Sequence, residues 1–393
     1  MNFEEPKAAP FARGNFGMKL GLERMEESLR RLGDPHRSAP ALHVAGTNGK
    51  GSTCAFLEAS LRAAGLRTGL YTSPHLNHFC ERIRIGGEPI SEERACALLE
   101  EIIGRVPGSL GDPGLTFFEI ATLMAFLAFR EVEVMVIEVG LGGRLDATNV
   151  LPRPAACGIA SLGLEHTEYL GPTLAHVAAE KAGIFKRGSP TATVEQPPEA
   201  MQVLEEKAAA LGMKLRRALP YPGRLSLAGE HQRINAGLAA AMLELSALPH
   251  DTERGLAGAA WPGRLERFDN VYLDGAHNPH AARALARALP GLGRPLHLVF
   301  GALQDKDAAA MLRELGPLAT SVHYCAPDSP RAASPAALAR LWPGTAHANP
   351  SAALAAARRL SGVVVCCGSL YLVGELRALL LGQERARMPA ERL

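Results

Sequence analysis

The chain has 393 residues, of which 47% are hydrophobic and 21% charged, and its formal net charge is +2. This length predicts two domains, and so small a charge gives no electrostatic reason to expect nucleic acid or an anionic membrane as a partner. The sequence has no apolar run long enough to cross a bilayer, and residues 1–13 lack the apolar segment of a secretory signal. The seven cysteines are scattered without a C-x-x-C pair, which is typical of buried thiols in a reducing compartment. We therefore expect a cytoplasmic protein.

Residues 16–32 contain the first helix signal. From Leu22 onward, Met25, Leu29 and Leu32 recur at helical spacing, and the string GLER at 21–24 opens the helix. On spacing alone, this pattern predicts an amphipathic helix that packs one face on the protein.

The segment 41–53, ALHVAGTNGKGST, combines the features of a polyphosphate-binding loop. A predicted strand at 41–45 leads into the loop, and a predicted helix at 54–64 follows it. Three glycines around Lys50 let backbone N–H groups approach phosphate oxygens closely, and the helix N-terminus adds partial positive charge. The lysine would neutralise phosphate charge, while the hydroxyl of Ser52 could reach a magnesium ion.

The loop departs from the strict P-loop spacing G-x-x-x-x-G-K-[ST] at two positions. Val44 stands where the first glycine belongs, and Gly51 separates Lys50 from Ser52. An ordinary strand-to-helix turn that contains three glycines is therefore an alternative, and only the surrounding elements can decide between the two.

Three further apolar strands are predicted at 67–71, 132–139 and 157–161, with helices at 91–106 and 120–130 between them. Alternating strands and helices predict a doubly wound α/β fold with a parallel sheet and helices on both faces. Right-handed crossovers place the carboxyl ends of all strands at one edge, where such sheets bind ligands.

Polar side chains that follow four of these strands would meet at that edge. They are Lys50 with Ser52, Ser73, Glu138 and His166. Hydroxyl and carboxylate oxygens suit Mg²⁺, whereas an imidazole is an unusual ligand for it. A metal held by Glu138 would stabilise charge on a transferring γ-phosphoryl group. The alternatives are that Glu138 pairs with Arg144 and that His166 caps the following helix.

The string TFFE at 116–119 precedes the helix at 120–130. Thr116 with Glu119 three residues later is the capping-box pattern, which explains both residues without a ligand. It does not explain the two adjacent aromatic residues, Phe117 and Phe118, which could cover a flat ring. Both interpretations stay open at this point.

The middle of the chain gives weaker signals. It predicts a strand at 191–194, helices at 199–211 and 229–247, and a strand or loop at 221–227. Turn chemistry in WPGRLE at 261–266 then breaks the helical pattern. We place the domain junction there, which divides the chain into residues 1–266 and 267–393.

A second α/β series follows the junction. Strands are predicted at 271–273, 296–300, 321–325 and 363–367, and helices at 279–289, 305–315, 335–341, 350–360 and 370–381. This pattern predicts a smaller doubly wound domain, followed by a charged, frayed tail at 383–393. The cluster Asp274, His277 and Asn278 after the first of these strands predicts another ligand edge, and a turn with Asn278 as helix cap is the alternative.

Together these strings resemble the folylpolyglutamate synthase and dihydrofolate synthase family of the Mur ligase superfamily. The matching strings are GTNGKGS at 46–52, TSPHL at 72–76, FE at 118–119, EVGLGGRLDATN at 138–149, HT at 166–167, EKAGI at 180–184, PGR at 262–264 and DGAHNP at 274–279. They extend over nearly the whole chain, and the string at 138–149 is highly specific. The departures from the strict P-loop, including the extra Gly51, are this family's own form of the loop.

The resemblance implies an N-terminal P-loop domain of the Mur ligase type and a C-terminal Rossmann-like glutamate-ligase domain. It implies an ADP-forming ligase that joins L-glutamate to a folate carboxylate through an acyl phosphate, and that also converts dihydropteroate and L-glutamate to dihydrofolate. ATP and Mg²⁺ at two sites are the implied cofactors, with a monovalent cation as a further candidate. The expected partners are small-molecule substrates only, with neither nucleic acid nor membrane, and the expected state is a monomer.

The resemblance also assigns residues to roles. The catalytic positions are Lys50, Glu138, His166, Lys181 and His277. The ATP-binding positions are Gly46, Thr47, Asn48, Gly49, Lys50, Gly51, Ser52, Asn235, Arg264 and Asp274. The folate-binding positions are Gly21, Leu22, Glu23, Arg24, Thr116, Phe118, Leu145, Asp146 and Ala147. The metal ligands are Ser52, Ser73, Glu138, His166 and Lys181, the last as a carbamate. Without the resemblance, Lys181 would be interpreted as a helix-end lysine that interacts with the helix dipole.

Two other functions fit parts of the sequence. A Mur-type ligase could add an amino acid to a cell-wall precursor, but about 45 residues before the phosphate loop are too few for the extra nucleotide-sugar domain of such enzymes. A non-enzymatic ATP-binding switch would not need Glu138, His166 and a second domain with its own polar strand end.

Overall fold

The computed structural model describes residues 21–111 and 114–383. These residues form two α/β units, each built around one sheet. The first sheet has eight strands: β1 (Ala41–Ala45), β2 (Thr68–Tyr71), β3 (Ile83–Ile85), β4 (Glu88–Pro89), β5 (Val134–Glu138), β6 (Ala156–Ile159), β7 (Thr191–Thr193) and β8 (Leu215–Arg217). Their order is β4-β3-β2-β5-β1-β6-β7-β8. All neighbours are parallel except β3, which is antiparallel to both β2 and β4.

In the described residues, nine helices precede the strands of the second sheet: α1 (Glu23–Leu32), α2 (Lys50–Ala63), α3 (Glu92–Arg105), α4 (Phe117–Ala128), α5 (Thr167–Leu170), α6 (Leu174–Ala182), α7 (Pro198–Ala210), α8 (Glu230–Ser246) and α9 (Thr252–Gly258). Short 3-10 turns lie at Pro35–Arg37, Phe79–Arg82, Phe129–Glu131 and Ala147–Val150. Helices cover both faces of the sheet, because alternate residues of the central strands face different cores. Val134 and Val136 of β5 pack in one core, and Met135 and Ile137 pack in the other.

The second sheet has six strands in the order β13-β12-β11-β14-β10-β9. They are β9 (Glu266–Phe268), β10 (Val271–Leu273), β11 (Leu296–Phe300), β12 (Ser321–Tyr324), β13 (Thr345–Ala346) and β14 (Val363–Cys367). Its helices are α10 (Pro279–Ala288), α11 (Ala308–Leu315), α12 (Pro335–Leu341), α13 (Pro350–Arg358) and α14 (Leu370–Leu381), with 3-10 turns at Leu289–Gly291 and Gly316–Leu318. Only β9 is antiparallel to its neighbour.

The predicted fold class is confirmed, and the differences concern small elements. The β3–β4 hairpin was missed, although its two-residue turn is Gly86-Gly87 with φ of 60° and 92°, a glycine pair that favours tight hairpins. Strand β9 was missed in the same way: it pairs with the predicted strand β10 across a turn at Asp269-Asn270, with Asp269 at φ 53°. Strands β8 and β13 and helix α9 were also missed, and residues 221–227 form neither a strand nor a helix.

One boundary correction affects the phosphate loop. Helix α2 begins at Lys50, four residues before the predicted start at Cys54, because Gly49 adopts the left-handed conformation and the N–H of Thr53 bonds to its carbonyl. Ser52 therefore lies in the first helical turn. Helix α1 matches the prediction from residue 23 onward, whereas the predicted residues 16–20 and the tail from 384 lie outside the described residues.

Within residues 21–111 and 114–383, no helix has both the length and the apolar character that crossing a bilayer requires. The carboxyl ends of β1, β2, β5 and β6 lie together at one edge of the first sheet. The loops after β10, β11 and β14 of the second sheet face this edge, and the space between them is the candidate site.

Candidate active site

A cavity of about 510 Å³ lies between the two sheets. Its wall contains groups from the first sheet and from the second, among them Lys50, Glu138 and His166 on one side and Arg264 and His277 on the other. The cavity thus joins the strand ends that the sequence singled out, and it has room for more than one small molecule.

Two glycines of the phosphate loop lie so close to other side chains that a Cβ would not fit at either position. Gly49 has φ of 91°, and a Cβ at this position would collide with the side-chain amide of Asn235. A Cβ on Gly51 would lie 2.9 Å from the indole nitrogen of Trp261. Both glycines therefore let the loop pass between α8 and the region before the second sheet, with the helix start of α2 facing the cavity.

Hydrogen bonds hold the start of the loop against the segment that follows β6. The N–H groups of Thr47 and Asn48 donate to the Ser161 carbonyl at 3.0 and 3.1 Å, and the Thr47 hydroxyl donates to the Gly163 carbonyl at 3.0 Å. Lys50 Nζ donates to the Thr47 carbonyl at 3.2 Å, so the ammonium folds back over the loop. A Cβ on Gly46 would lie 2.8 Å from the Ala160 side chain.

Glu138 ends β5 and is almost wholly buried. Burial raises the pKa of its carboxyl to about 7, although the nearby Lys50 charge and the N–H of Ser73, which donates to Oε2 at 3.2 Å, act in the other direction. The alternative pairing with Arg144 is wrong, because that guanidinium binds Glu180 at 2.8 Å. In its ionised form, this buried carboxylate beside Ser73 could bind a cation, which would in turn offset the effect of burial.

His166 has a left-handed backbone, with φ of 52°, and immediately precedes α5. Its side chain makes no capping hydrogen bond to that helix, so the capping alternative is wrong. Burial lowers the pKa of His166, and the neighbouring Glu165 carboxylate, with Oε1 4.0 Å from Nε2, opposes the shift. A neutral imidazole is the form that could bind a metal.

Lys181 lies near the end of α6 and is only 4% exposed. It lines a small cleft of about 30 Å³ together with Gly46, Lys50, Glu165 and His166. Burial lowers the pKa of its ammonium to about 7, and the Lys50 charge adds to the shift. Lys181 lies in the last turn of α6, so the helix-dipole interpretation stays open, although burial disfavours the charge on which that interaction depends.

Phe118 forms an aromatic part of the cavity wall. A Cβ on Gly140 would lie 2.5 Å from its ring, so the backbone after β5 passes directly against it. The capping-box interpretation is confirmed, because Thr116 and Glu119 form the box. Phe117 and Phe118 both line the cavity with them, and their contact with a flat ring stays a prediction. The predicted positions Leu145, Asp146 and Ala147 line the cavity near this wall.

The predicted contacts from the first helix are only partly brought to the cavity. Gly21 lines it, whereas Leu22, Glu23 and Arg24 are absent from its wall. Arg24 instead reaches Glu119 at 2.9 Å, which places it one layer behind the cavity wall.

Three other predicted residues also lie behind the wall. Ser52 is buried within the first turn of α2, and Asn235 backs Gly49. Asp274 accepts hydrogen bonds from the N–H groups of Leu265 and Ala276 at 3.0 and 2.9 Å. Asn278 caps α10 as the turn alternative proposed, by accepting from the N–H of Ala281. His277 of the same string does line the cavity.

The cavity wall also contains five residues that the sequence did not predict as site residues: His75, Arg82, Glu165, Lys306 and Arg331. Lys306 Nζ lies 3.2 Å from Oε1 of Glu165, so the two sheets are joined by an ion pair. The rule that ligands bind at strand ends could have found Lys306, because it follows β11 in the same way as Glu138 ends β5.

The residues fit a divalent cation held jointly with phosphate oxygens. In the described part of the chain, no group of three or more His, Cys, Asp or Glu side chains could hold a metal alone. The candidate ligands are hydroxyls, one carboxylate and one imidazole, and Mg²⁺ typically completes such a set with substrate phosphates and water. The buried Glu138 carboxylate and the phosphate loop beside it supply that arrangement.

The comparisons with known proteins agree with this geometry. Residues 263–370 match the family model described as Mur ligase, glutamate ligase domain. The chain is 37% identical to the dihydrofolate synthase/folylpolyglutamate synthase of Bacillus subtilis, with 95% of this chain and 98% of the relative covered. It is 35% identical to the folylpolyglutamate synthase of Lacticaseibacillus casei, over 90% of this chain and 93% of that one.

Solved structures show the same likeness. E. coli FolC in complex with DHPP and ADP superposes with a TM-score of 0.87 at 32% identity, covering 96% of this chain and 97% of that chain. A bifunctional folylpolyglutamate synthase/dihydrofolate synthase with Mn, AMPPNP and L-glutamate bound has a TM-score of 0.84 at 35% identity, covering 96% and 98%. With identity above 30% over nearly the full length of both chains, the protein belongs to the folylpolyglutamate synthase/dihydrofolate synthase family of Mur-type ligases.

Proposed function

We propose that the protein is an ATP-dependent ligase that joins L-glutamate to the carboxylate of a folate, and to that of dihydropteroate. The observation that carries this proposal is the single cavity in which a phosphate loop and Glu138 lie between an aromatic wall at Phe118 and the second sheet's His277. The phosphate loop suits a triphosphate, the aromatic wall suits a flat ring, and residues of the second sheet complete the lining. Relatives bind ADP with DHPP, and AMPPNP with L-glutamate, which supports the same set of substrates here.

The chemistry requires an activated carboxylate, because a free carboxylate is a poor acyl donor. Transfer of the γ-phosphoryl group of ATP to the folate carboxylate gives an acyl phosphate and ADP, and attack by the glutamate amine then gives the amide and releases phosphate. Lys50 and the N-terminus of α2 would bind the phosphate groups and offset their charge. The amine loses a proton on attack, and His277, whose pKa is lowered by burial, is a candidate to accept it.

Ser52, Ser73, Glu138, His166 and Lys181 as a carbamate are the proposed ligands of Mg²⁺, which when bound would neutralise phosphate charge. The further nucleotide contacts proposed are Asn48, Asn235, Arg264 and Asp274. Asn235 would act by shaping the loop at Gly49, and Asp274 by holding the turn that carries His277. The Phe118 ring and the loop 140–147 would enclose the pterin.

We propose that residues 1–266 supply nucleotide and pterin binding and that residues 267–393 supply glutamate binding. Nearly all of the residues that match the glutamate ligase model, 263–370, lie within this second range. A monomeric state, a cytoplasmic location, two separate Mg²⁺ sites, a monovalent cation and the lack of nucleic-acid or membrane partners stay predictions from the sequence.

The test is a steady-state assay of phosphate release with ATP and Mg²⁺. Dihydropteroate and tetrahydrofolate are compared side by side, each with and without L-glutamate. We expect turnover that needs both the pterin acceptor and L-glutamate. Turnover with neither, or with a cell-wall precursor in place of the pterin, would contradict the proposal and favour a switch or a cell-wall ligase.

A further inference from the structure

His43 is a buried histidine that lies outside the cavity wall. It is the third residue of β1, with no exposed surface, and lies three residues before Gly46 of the phosphate loop. Its Nε2 lies 2.9 Å from the hydroxyl of Thr148, in the 3-10 turn that follows the cavity-lining loop 140–147. A histidine in a central strand thus contacts a polar group rather than the apolar core alone.

The hydrogen bonds around Thr148 have one consistent direction. Its hydroxyl lies 2.5 Å from Oδ1 of Asp146, which also accepts the N–H of Thr148 at 3.0 Å, while Oδ2 accepts the N–H of Leu141 at 2.9 Å. Burial raises the pKa of Asp146, and the hydrogen bonds that it accepts from Thr148, Leu141 and Gly140 oppose this shift by favouring the ionised form. An ionised carboxylate only accepts, so the single hydroxyl proton of Thr148 goes to it. The Thr148 oxygen then accepts a hydrogen bond from the Nε2–H of His43.

This direction fixes the state of the imidazole. With the proton on Nε2, the other nitrogen, Nδ1, is bare, and it has no hydrogen-bond partner although it is buried. A charged imidazole would leave a buried N–H donor unsatisfied, which is costly. Burial lowers the pKa of His43 to about 3 and the Lys186 charge adds to the shift, so the ring is a neutral donor at physiological pH.

The end of this chain of hydrogen bonds is at the cavity wall. Asp146 lines the cavity with Leu145 and Ala147, next to the backbone at Gly140 that packs on Phe118. A fixed carboxylate there can accept from the N–H and amino groups at the edge of a pterin ring. How accurately it does so depends on the orientation of the Thr148 hydroxyl.

We propose that His43 is a positioning residue for the pterin end of the cavity, acting through Thr148 on Asp146. The inference rests on the proposed function, because it assigns the pterin to this wall. It distinguishes His43 from an ordinary core residue: its Nε2–H donor, and not its bulk, sets affinity for the pterin substrate. The proposed nucleotide-binding residues do not include His43, Thr148 or Asp146, so nucleotide binding should not depend on this donor.

The test uses variants that remove or keep each hydrogen bond. His43→Phe and Thr148→Val remove the donor and the hydroxyl, whereas His43→Gln and Thr148→Ser keep them. His36→Phe is the matched control, because His36 is also a buried histidine of the same half of the chain with an unpartnered Nδ1, and it is absent from the cavity wall. KM for dihydropteroate, KM for ATP and kcat are measured for each, with thermal unfolding as a check on folding.

We expect His43→Phe and Thr148→Val to raise KM for dihydropteroate about tenfold, the loss expected for one well-placed hydrogen bond. KM for ATP and kcat should change less than about twofold, and His43→Gln, Thr148→Ser and His36→Phe should remain within about threefold of wild type for dihydropteroate. If His43→Phe does not fold, the Thr148 pair decides.

Three outcomes would overturn the inference. One is a His43→Phe enzyme with the same KM for dihydropteroate as His36→Phe. Another is a His43→Gln enzyme as impaired as His43→Phe, and the third is an equal rise in KM for ATP. A wild-type enzyme that turns over no pterin substrate at all would instead contradict the proposed function, so the two failures are distinguishable.

Discussion

Lys306 Nζ lies 3.2 Å from Oε1 of Glu165, and this contact joins the loop after β11 of the second sheet to the loop after β6 of the first. Both side chains are mostly buried, with 16% and 13% of their surface exposed. Beside them, Asn278 donates to Oε2 of Glu165 at 3.2 Å and exchanges amide hydrogen bonds with Asn48 of the phosphate loop. The two sheets are therefore coupled directly at the nucleotide end of the cavity.

The first prediction concerns the pH dependence of this coupling. Burial opposes ionisation of Glu165, but the charges of His277 and Lys306 outweigh it and lower its pKa from 4.5 to about 2. Because burial also lowers the pKa of His277, Lys306 is the main partner at neutral pH. Ionised Glu165 thus stabilises the fold above pH 4.5, and the contribution is lost as the pH falls towards 2.

Glu165→Gln should therefore lower the free energy of unfolding by about 2 kcal/mol at pH 7, the size expected for a hydrogen bond to a charged group. The deficit should shrink steadily below pH 4.5. Denaturant unfolding between pH 8 and pH 3 measures it, and Glu314→Gln, which breaks a more exposed pair with Arg283, is the control. A deficit that does not change with pH would contradict the ion-pair account.

The second prediction concerns Glu138. Glu138→Gln should lower kcat by at least about a thousandfold, because a neutral amide cannot replace a buried carboxylate at a charge-stabilising site. Stability without ligands should be retained, since burial of the carboxylate opposes its ionisation. Glu58→Gln is the matched control, being an equally buried carboxylate that hydrogen-bonds Thr68 away from the cavity. Wild-type turnover of Glu138→Gln at low magnesium would count against its role.

The third prediction concerns the glycine loop. Gly49 and Gly65 both have φ of 91°, but a Cβ on Gly65 meets nothing within 4 Å, whereas one on Gly49 collides with Asn235. Gly65→Ala should cost about 1 kcal/mol of backbone strain and leave KM for ATP unchanged. Gly49→Ala should also raise KM for ATP at least tenfold. Equal kinetics of the two variants would show that Asn235 does not shape the nucleotide site.

The sequence predicted best those elements that have a continuous apolar run and a clear end. Strands β1, β5 and β14 are buried on both faces, so their apolar runs are continuous, and Glu138 marks the end of β5 in both the sequence and the fold. The three-residue strand β8 has mostly exposed side chains, which leave no such pattern. Its pairing with β7 depends on tertiary context instead.

The site was predictable one sheet at a time. Strand ends placed Lys50, Glu138 and His166 together, because parallel strands of one sheet share an edge. The approach of Lys306 to Glu165 depends on how the second sheet is docked on the first, which no local pattern encodes. The contact of Arg24 with Glu119 likewise joins residues far apart in the chain and depends on how α1 packs on α4.

The fourth prediction concerns Lys181. Burial lowers its pKa from 10.5 to about 7, so between these values the unfolded chain binds more protons than the folded one and wild-type stability rises with pH. Below pH 7, Lys181→Met should therefore have a higher free energy of unfolding than wild type, measured by denaturant unfolding. This difference in stability, called the gap below, should close towards pH 10.5. Lys207→Met, at an exposed position of α7, should show no such gap.

If Lys181 is carbamylated, bicarbonate should narrow the gap between wild type and Lys181→Met near pH 8, because the amine reacts as it loses its proton. A carbamate signal should appear in ¹³C NMR spectra of wild type with labelled bicarbonate and be missing from Lys181→Met. Short carboxylic acids should restore part of the activity of Lys181→Ala. An unchanged gap and no rescue would leave an unmodified lysine.

The most direct test of the central claim follows the oxygen of the substrate carboxylate. Dihydropteroate labelled with ¹⁸O in its carboxyl group is turned over with ATP and L-glutamate, and the released phosphate is analysed by ³¹P NMR. Ligation through an acyl phosphate predicts that each phosphate carries one ¹⁸O atom and that one amide bond forms for each phosphate. Phosphate without the label would show that water accepts the phosphoryl group, and it would contradict the account.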